Sequence, residues 1–117
     1  RYILATIEKH NGSSQAVNFN DDDATIEHIL PQNADESWEM DEEKQLQLVF
    51  RLGNTCLLEK KLNMGLKNGS FEEKKKVYAL SSYIDAQMIA GYDEWNESKI
   101  VNRQSKMAHV AVNIWKI

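Results

Sequence analysis

The apolar positions of this chain recur at two spacings, and the elements follow from where one gives way to the other. Tyr2, Ile3, Leu4 and Ile7 fall at helical intervals and Asn11-Gly12 closes the pattern, which predicts a helix from about Tyr2 to His10. Gly12 to Asp23 is polar and turn-rich and reads as loop. Thr25, Ile26 and Ile29 favour a pleated strand, and Pro31 ends it because it has no N–H to give a ladder. Gln32 to Ser37 reads as loop, followed by Trp38 as a partly buried anchor. Asp41, Glu42 and Glu43 place acid at a helix start, where the dipole favours it. Leu46, Val49, Phe50 and Leu52 carry that helix to about Leu52, and Gly53 terminates it. A second apolar run, Thr55 to Leu58, reads as a strand. Lys60 to about Lys67 reads as a helix that Gly65 weakens and Asn68-Gly69 ends. Ser70 to Glu73 is a capping box that opens a helix to about Leu80. Ser82 to Asp85 resembles another, with Ile84, Met88 and Ile89 directed inward. Gly91 to Asp93 is a turn, Trp95 belongs in the core, and Asn96 caps a last helix. Its stripe is Ile100, Met107, Val110, Ala111 and Ile114, running to Trp115.

A chain of 117 residues fits one domain, and 42% apolar with 27% charged residues is ordinary for a globular one. No apolar run is long enough to span a membrane. The chain opens in mid-helix at Arg1-Tyr2 without an initiator Met, so a C-terminal fragment of a longer protein is expected. The single cysteine, Cys56, excludes an internal disulfide and a multi-cysteine zinc site. A net charge of −4 runs against nucleic-acid binding, but its distribution softens that. Acid gathers in Asp21-Asp22-Asp23 and between Glu36 and Glu43. Base gathers in Lys60, Lys61, Lys67, Lys74, Lys75 and Lys76. The local field governs phosphate approach more than the total does. For any single lysine a solvated helix face is the ordinary reading, and consecutive aspartates are most often a solvated turn. His10 reads as a favourable charge at a helix end and His109 as a surface residue off the apolar stripe.

The chemistry centres on Thr25-Ile26-Glu27-His28-Ile29-Leu30-Pro31. Glu27 offers a hard oxygen ligand and His28 a base that titrates near neutrality. Neighbouring strand residues point to opposite faces, so a kink at Pro31 or a bulge is expected to bring both to one centre. Asn54 then opens the second strand, and Asn63 follows nine positions later in the predicted helix. Strand, loop, strand and helix carrying His, Asn and Asn in that order is the pattern of a ββα-metal nuclease finger.

With these residues the chain resembles the C-terminal domain of GmrSD-type restriction endonucleases, a branch of the HNH or His-Me finger nucleases. The matching residues are Thr25 to Asn33, Trp38, Arg51-Leu52-Gly53-Asn54, Leu57-Leu58, Leu62-Asn63, Asn68, Phe71, Lys74, Lys75, Tyr78, Trp95, Arg103 and Ile114-Trp115. They run over nearly all of the chain. The resemblance implies an α+β fold, a ββα-metal finger at about 24–68 made of a short hairpin and a helix. This finger is embedded in a mainly helical single domain over 1–117. The family also carries a helix between its finger strands, as predicted here.

The implied activity is metal-dependent DNA endonuclease cleavage within a restriction or defence protein acting on modified or foreign DNA. His28 is then the general base, and Asn54 orients His28 or ties the two strands. Glu27 and Asn63 hold Mg2+ or Mn2+, both hard ions suited to oxygen ligands. Asn68, Lys74, Lys75 and Arg103 reach phosphate, with a salt bridge to the acidic loop as the other reading for Arg103. The implied partners are DNA and a nucleotide-binding domain on the N-terminal side, in the same or a partner chain, in a bacterial or archaeal cytoplasm. The sequence departs from the family at Thr55-Cys56, at Lys67, and at Glu27, where many fingers carry Asp. The extra methylene of Glu27 changes reach rather than charge. A non-catalytic DNA-binding or protein-interaction module that keeps the finger fold is the alternative. A metal-regulated structural domain is a third reading, and it needs no lysine cluster.

Overall fold

The computed structural model describes residues 2–10, 24–34, 38–66 and 69–114. Expectations for the aspartate run, Lys67, Asn68 and Trp115 lie outside them. The order is α1 (Tyr2–His10), β1 (Ala24–His28), α2 (Glu42–Val49), a 3-10 turn (Leu52–Asn54), β2 (Thr55–Glu59), α3 (Lys60–Met64), α4 (Phe71–Tyr78), α5 (Ile84–Ala90) and α6 (Glu97–Ile114). The class is α+β: one two-stranded antiparallel sheet with helices around it.

The strands pair without a bulge, Ala24 opposite Glu59, Ile26 opposite Leu57, Glu27 opposite Cys56 and His28 opposite Thr55. Past β1 the ladder continues for one bond, from the Ile29 N–H to the Asn54 carbonyl at 2.9 Å. Ile29, Leu30, Cys56 and Leu58 are fully buried, and Leu57 nearly so. They join Tyr78, Ile89 and Ile100 from the helices in one core. Burial pushes the Cys56 thiol far above its ordinary value, so it behaves as an inert apolar side chain.

Tertiary contacts revised several boundaries. α2 stops at Val49, short of Leu52, because its buried side is Gln45, Leu48 and Val49. Leu46 and Phe50 face solvent, 63% and 66% exposed. Gly53, expected to end this helix, lies instead in the 3-10 turn that follows it. α6 crosses so closely that a Cβ there would collide with the Ile100 carbonyl oxygen and the Gln104 backbone. α3 is a five-residue helix that ends at Gly65, earlier than expected. Ser70 caps α4 as predicted, its hydroxyl accepting from the Glu73 N–H at 3.3 Å. Asn96 likewise caps α6, accepting from the Lys99 N–H at 3.1 Å.

Ser82 does not cap α5. The N-cap position is Tyr83, and Ser82 donates instead to the Glu59 carboxylate. The buried Glu8 of α1 takes the capping role, accepting from the N–H groups of Ile84 at 2.7 Å and Asp85 at 3.0 Å. Met88, expected inside, is 60% exposed. Among the described residues no helix is long and apolar enough to cross a membrane.

Candidate active site

Among the described residues β1 pairs with β2 alone, and residues of β1 and of the segment after it border an open cleft of about 260 Å³. Ile26, Glu27, His28, Pro31, Gln32, Asn33, Asn63 and Lys74 line it. Glu27 and His28 meet here although the register is regular and no bulge intervenes.

Glu27 is buried, and both of its hydrogen bonds fall on Oε2, from Lys74 Nζ at 3.0 Å and from the Tyr78 hydroxyl at 2.7 Å. Oε1 is left without a protein partner among the described residues. Burial, with the Glu27 carboxylate beside it, pushes the Tyr78 hydroxyl well above its ordinary value, so it stays a donor. Lys74 has no exposed surface, and its ammonium also donates to the carbonyls of His28 at 2.9 Å and Ile29 at 3.0 Å. All three of its protons are thereby used.

Asn63 comes from α3, which the chain enters directly from β2. The Thr25 hydroxyl donates its single proton to the Leu58 carbonyl at 2.8 Å, so it can only accept from Asn63. Asn63 Nδ2 supplies that bond at 2.7 Å. The relay fixes which end of the amide is which and turns Oδ1 away from Thr25.

His28 is half-buried, its ring edge-on to Phe50 with centroids 5.6 Å apart. Burial is the main cause that lowers its pKa below 6.5; Lys74 lowers it too and Glu27 opposes both. The ring is therefore neutral at pH 7 and able to accept a proton.

Asn54 sits elsewhere in the network. Its Oδ1 accepts from the Leu30 N–H at 2.8 Å and Trp95 Nε1 at 2.9 Å. Its Nδ2 donates to the carbonyls of Leu30 at 3.0 Å and Val49 at 2.9 Å. The amide is saturated and none of these bonds reaches His28, so the orienting role is replaced by a fastening one. Asn54 pins the segment after β1 to the end of α2 and to Trp95. Gln45 adds to this by donating to the carbonyls of Pro31 and Gln32, at 2.8 and 2.7 Å, which shapes the cleft wall.

The cations expected on phosphate are placed differently from that expectation. Lys74 is spent on Glu27 and two carbonyls. Arg103 is buried and donates to the carbonyls of Gly53 and Thr55, tying α6 to the start of β2 rather than to an acidic loop. Lys75 is half-buried, its ammonium 5.6 Å from the Phe71 ring centroid and 3.9 Å from Glu72. Lys60 and Lys61 are exposed on α3. Sequence reading gave no role to Thr25 or Tyr78. The signal for Tyr78 was its spacing of four from Lys74 on α4, which sets both on one helix face.

Among the described residues no three His, Cys, Asp or Glu side chains gather closely enough to hold a metal by themselves. The donors present are one carboxylate oxygen and one oriented amide oxygen. Two hard oxygens suit a cation that keeps several waters, as Mg2+ does.

The fold and cleft define an α+β domain in which a carboxylate, a neutral imidazole and an amide share one cleft beside a two-stranded sheet. The family model for GmrSD restriction endonucleases, C-terminal domain, matches residues 1–110, and the chain belongs to that family. A comparison with curated proteins returns no match.

Proposed function

We propose that this cleft hydrolyses DNA phosphodiester bonds in the manner of an HNH nuclease, as part of a restriction protein. The observation that carries the reading is the convergence of Glu27, His28 and Asn63 on one open cleft, with a carboxylate and an amide oxygen left for a ligand. The family membership supports a nuclease role in general. A divalent cation, Mg2+ or Mn2+, would be held by Glu27 Oε1 and Asn63 Oδ1. When bound it supplies a Lewis acid for the phosphate oxygens and for the leaving oxygen.

The residues of the chain do the rest. His28 takes a proton from the attacking water through its neutral ring. Tyr78 and Lys74 hold Glu27 by Oε2, so its other oxygen keeps a fixed aim. Thr25 does the same for Asn63. Asn54 and Gln45 keep the Leu30–Gln32 wall in place beside the ring. Exposed Lys60 and Lys61 attract the phosphate backbone. A nucleotide-binding domain on the N-terminal side, and work in a bacterial or archaeal cytoplasm against foreign or modified DNA, complete the proposal.

The direct test is plasmid nicking by the protein with Mg2+ or Mn2+. Cleavage supports the reading. DNA binding without cleavage under those conditions would favour the non-catalytic module. The ligand assignment is tested separately by calorimetric titration with Mn2+. Glu27→Ala and Asn63→Ala are each expected to bind about tenfold or more weakly than wild type. Unchanged binding in both would remove them as ligands.

A further inference from the structure

We infer that Phe50, which does not line the cleft but whose ring packs against that of His28, contacts the nucleotide and stacks on the base next to the scissile phosphate. The inference rests on the nuclease reading and adds to it a site for the base. Phe50 is 66% exposed although it is a large aromatic, and its ring stands 5.6 Å from that of His28, at 82° to it. Among the described residues Phe50 is not part of the hydrophobic core, and the buried side of α2, which it follows, is Gln45, Leu48 and Val49.

Water activated by His28 reaches phosphorus only when the phosphate lies within hydrogen-bond range of the ring. The nucleotide that flanks that phosphate then has to pass over whatever borders His28. On one side of the ring that border is the free face of Phe50. Leu46, one turn earlier and 63% exposed, extends the apolar surface, and Ile26, 40% exposed, lies on the cleft side. The acid of α2 is in its first turn, Glu42 and Glu43, at the opposite end of the helix from Phe50. Arg51, next to Phe50, is exposed. An exposed aromatic bordered by a cation suits an unstacked base better than it suits water, since every base offers a π-face. Apolar side chains that enter a base step partly unstack it, so the duplex at the cleavage point should open locally.

Two measurements test this. In plasmid cleavage with Mn2+, Phe50→Ala is expected to raise KM about 5- to 150-fold, the range that loss of one stacked base gives. Phe50→Trp should restore KM toward wild type. In a His28→Ala background, a duplex carrying 2-aminopurine at several positions should brighten on binding, and His28→Ala with Phe50→Ala should leave it dark. A wild-type KM in Phe50→Ala would overturn the inference. So would a fall in kcat alone with KM unchanged, because Phe50 would then only hold the His28 ring. Failure of the wild-type protein to cut plasmid would overturn the nuclease reading, and this inference with it.

Discussion

His28→Ala is expected to lower phosphodiester cleavage about 10²–10⁴-fold, the usual cost of a lost general base, with fold and DNA affinity nearly intact. Among the described side chains the other imidazole, that of His109, is exposed on α6 and does not line the cleft. Circular dichroism should show the variant folded, because His28 is only half-buried and its side chain joins no hydrogen-bond network among the described residues. Near wild-type cleavage by the folded variant would defeat the role.

The pH profile provides the companion reading. Burial lowers the pKa of His28 below 6.5, and only the neutral ring accepts a proton. The rate should therefore hold from pH 8 through 6.5 and fall below it, as the ring takes up its proton. A rate flat down to pH 5, or a fall centred above 6.5, would indicate another base.

Asn54→Ala should act on stability instead. It removes the partners of the Leu30 N–H, the Leu30 and Val49 carbonyls and the Trp95 indole N–H at once. Asn54 is fully buried, so water does not replace them. Each buried polar group left unpaired costs about 1–3 kcal/mol. A total loss of about 3 kcal/mol or more is expected in urea unfolding, a large share of a typical domain stability of about 5–15 kcal/mol. Asn54→Asp should be harmful too despite its matching shape. Its second oxygen would face the Leu30 and Val49 carbonyls, which already accept. A loss under about 1 kcal/mol in Asn54→Ala would contradict the fastening role. Any activity lost in that variant would then track the unfolded fraction, unlike the loss in His28→Ala.

The first strand was legible because Thr25, Ile26 and Ile29 are β-branched and Pro31 punctuates it. The helices were legible where a cap is local, as at Ser70 and Asn96. The start of α5 was not, because its cap comes from Glu8, some 76 residues earlier in the chain. No local pattern carries that information. The same reason hid the inward turn of Lys74 and Arg103: neither looks buried until its acceptors, among them backbone carbonyls far along the chain, are placed. Glu27 and His28 were legible as chemistry, but that both line one cleft in a regular register depends on Asn63, Lys74 and the Pro31–Asn33 segment, which come from elsewhere in the fold. The spacing of Leu46 and Phe50 reported a helix faithfully and said nothing about which side of it faced solvent.

The buried ammonium of Lys74 has a consequence for how this domain relates to its cation. In small metal-dependent domains the ligands repel or stay unsatisfied until the ion arrives, so the apo chain is unfolded. Here the Glu27 carboxylate already has a counter-charge at 3.0 Å and a hydroxyl donor at 2.7 Å, both within the protein. If the cleft works with a cation as proposed, the domain should therefore fold without it. A chelator should then silence the protein and take away only the stabilisation that the bound ion adds, leaving the chain folded, and adding the ion back should return activity without any refolding step.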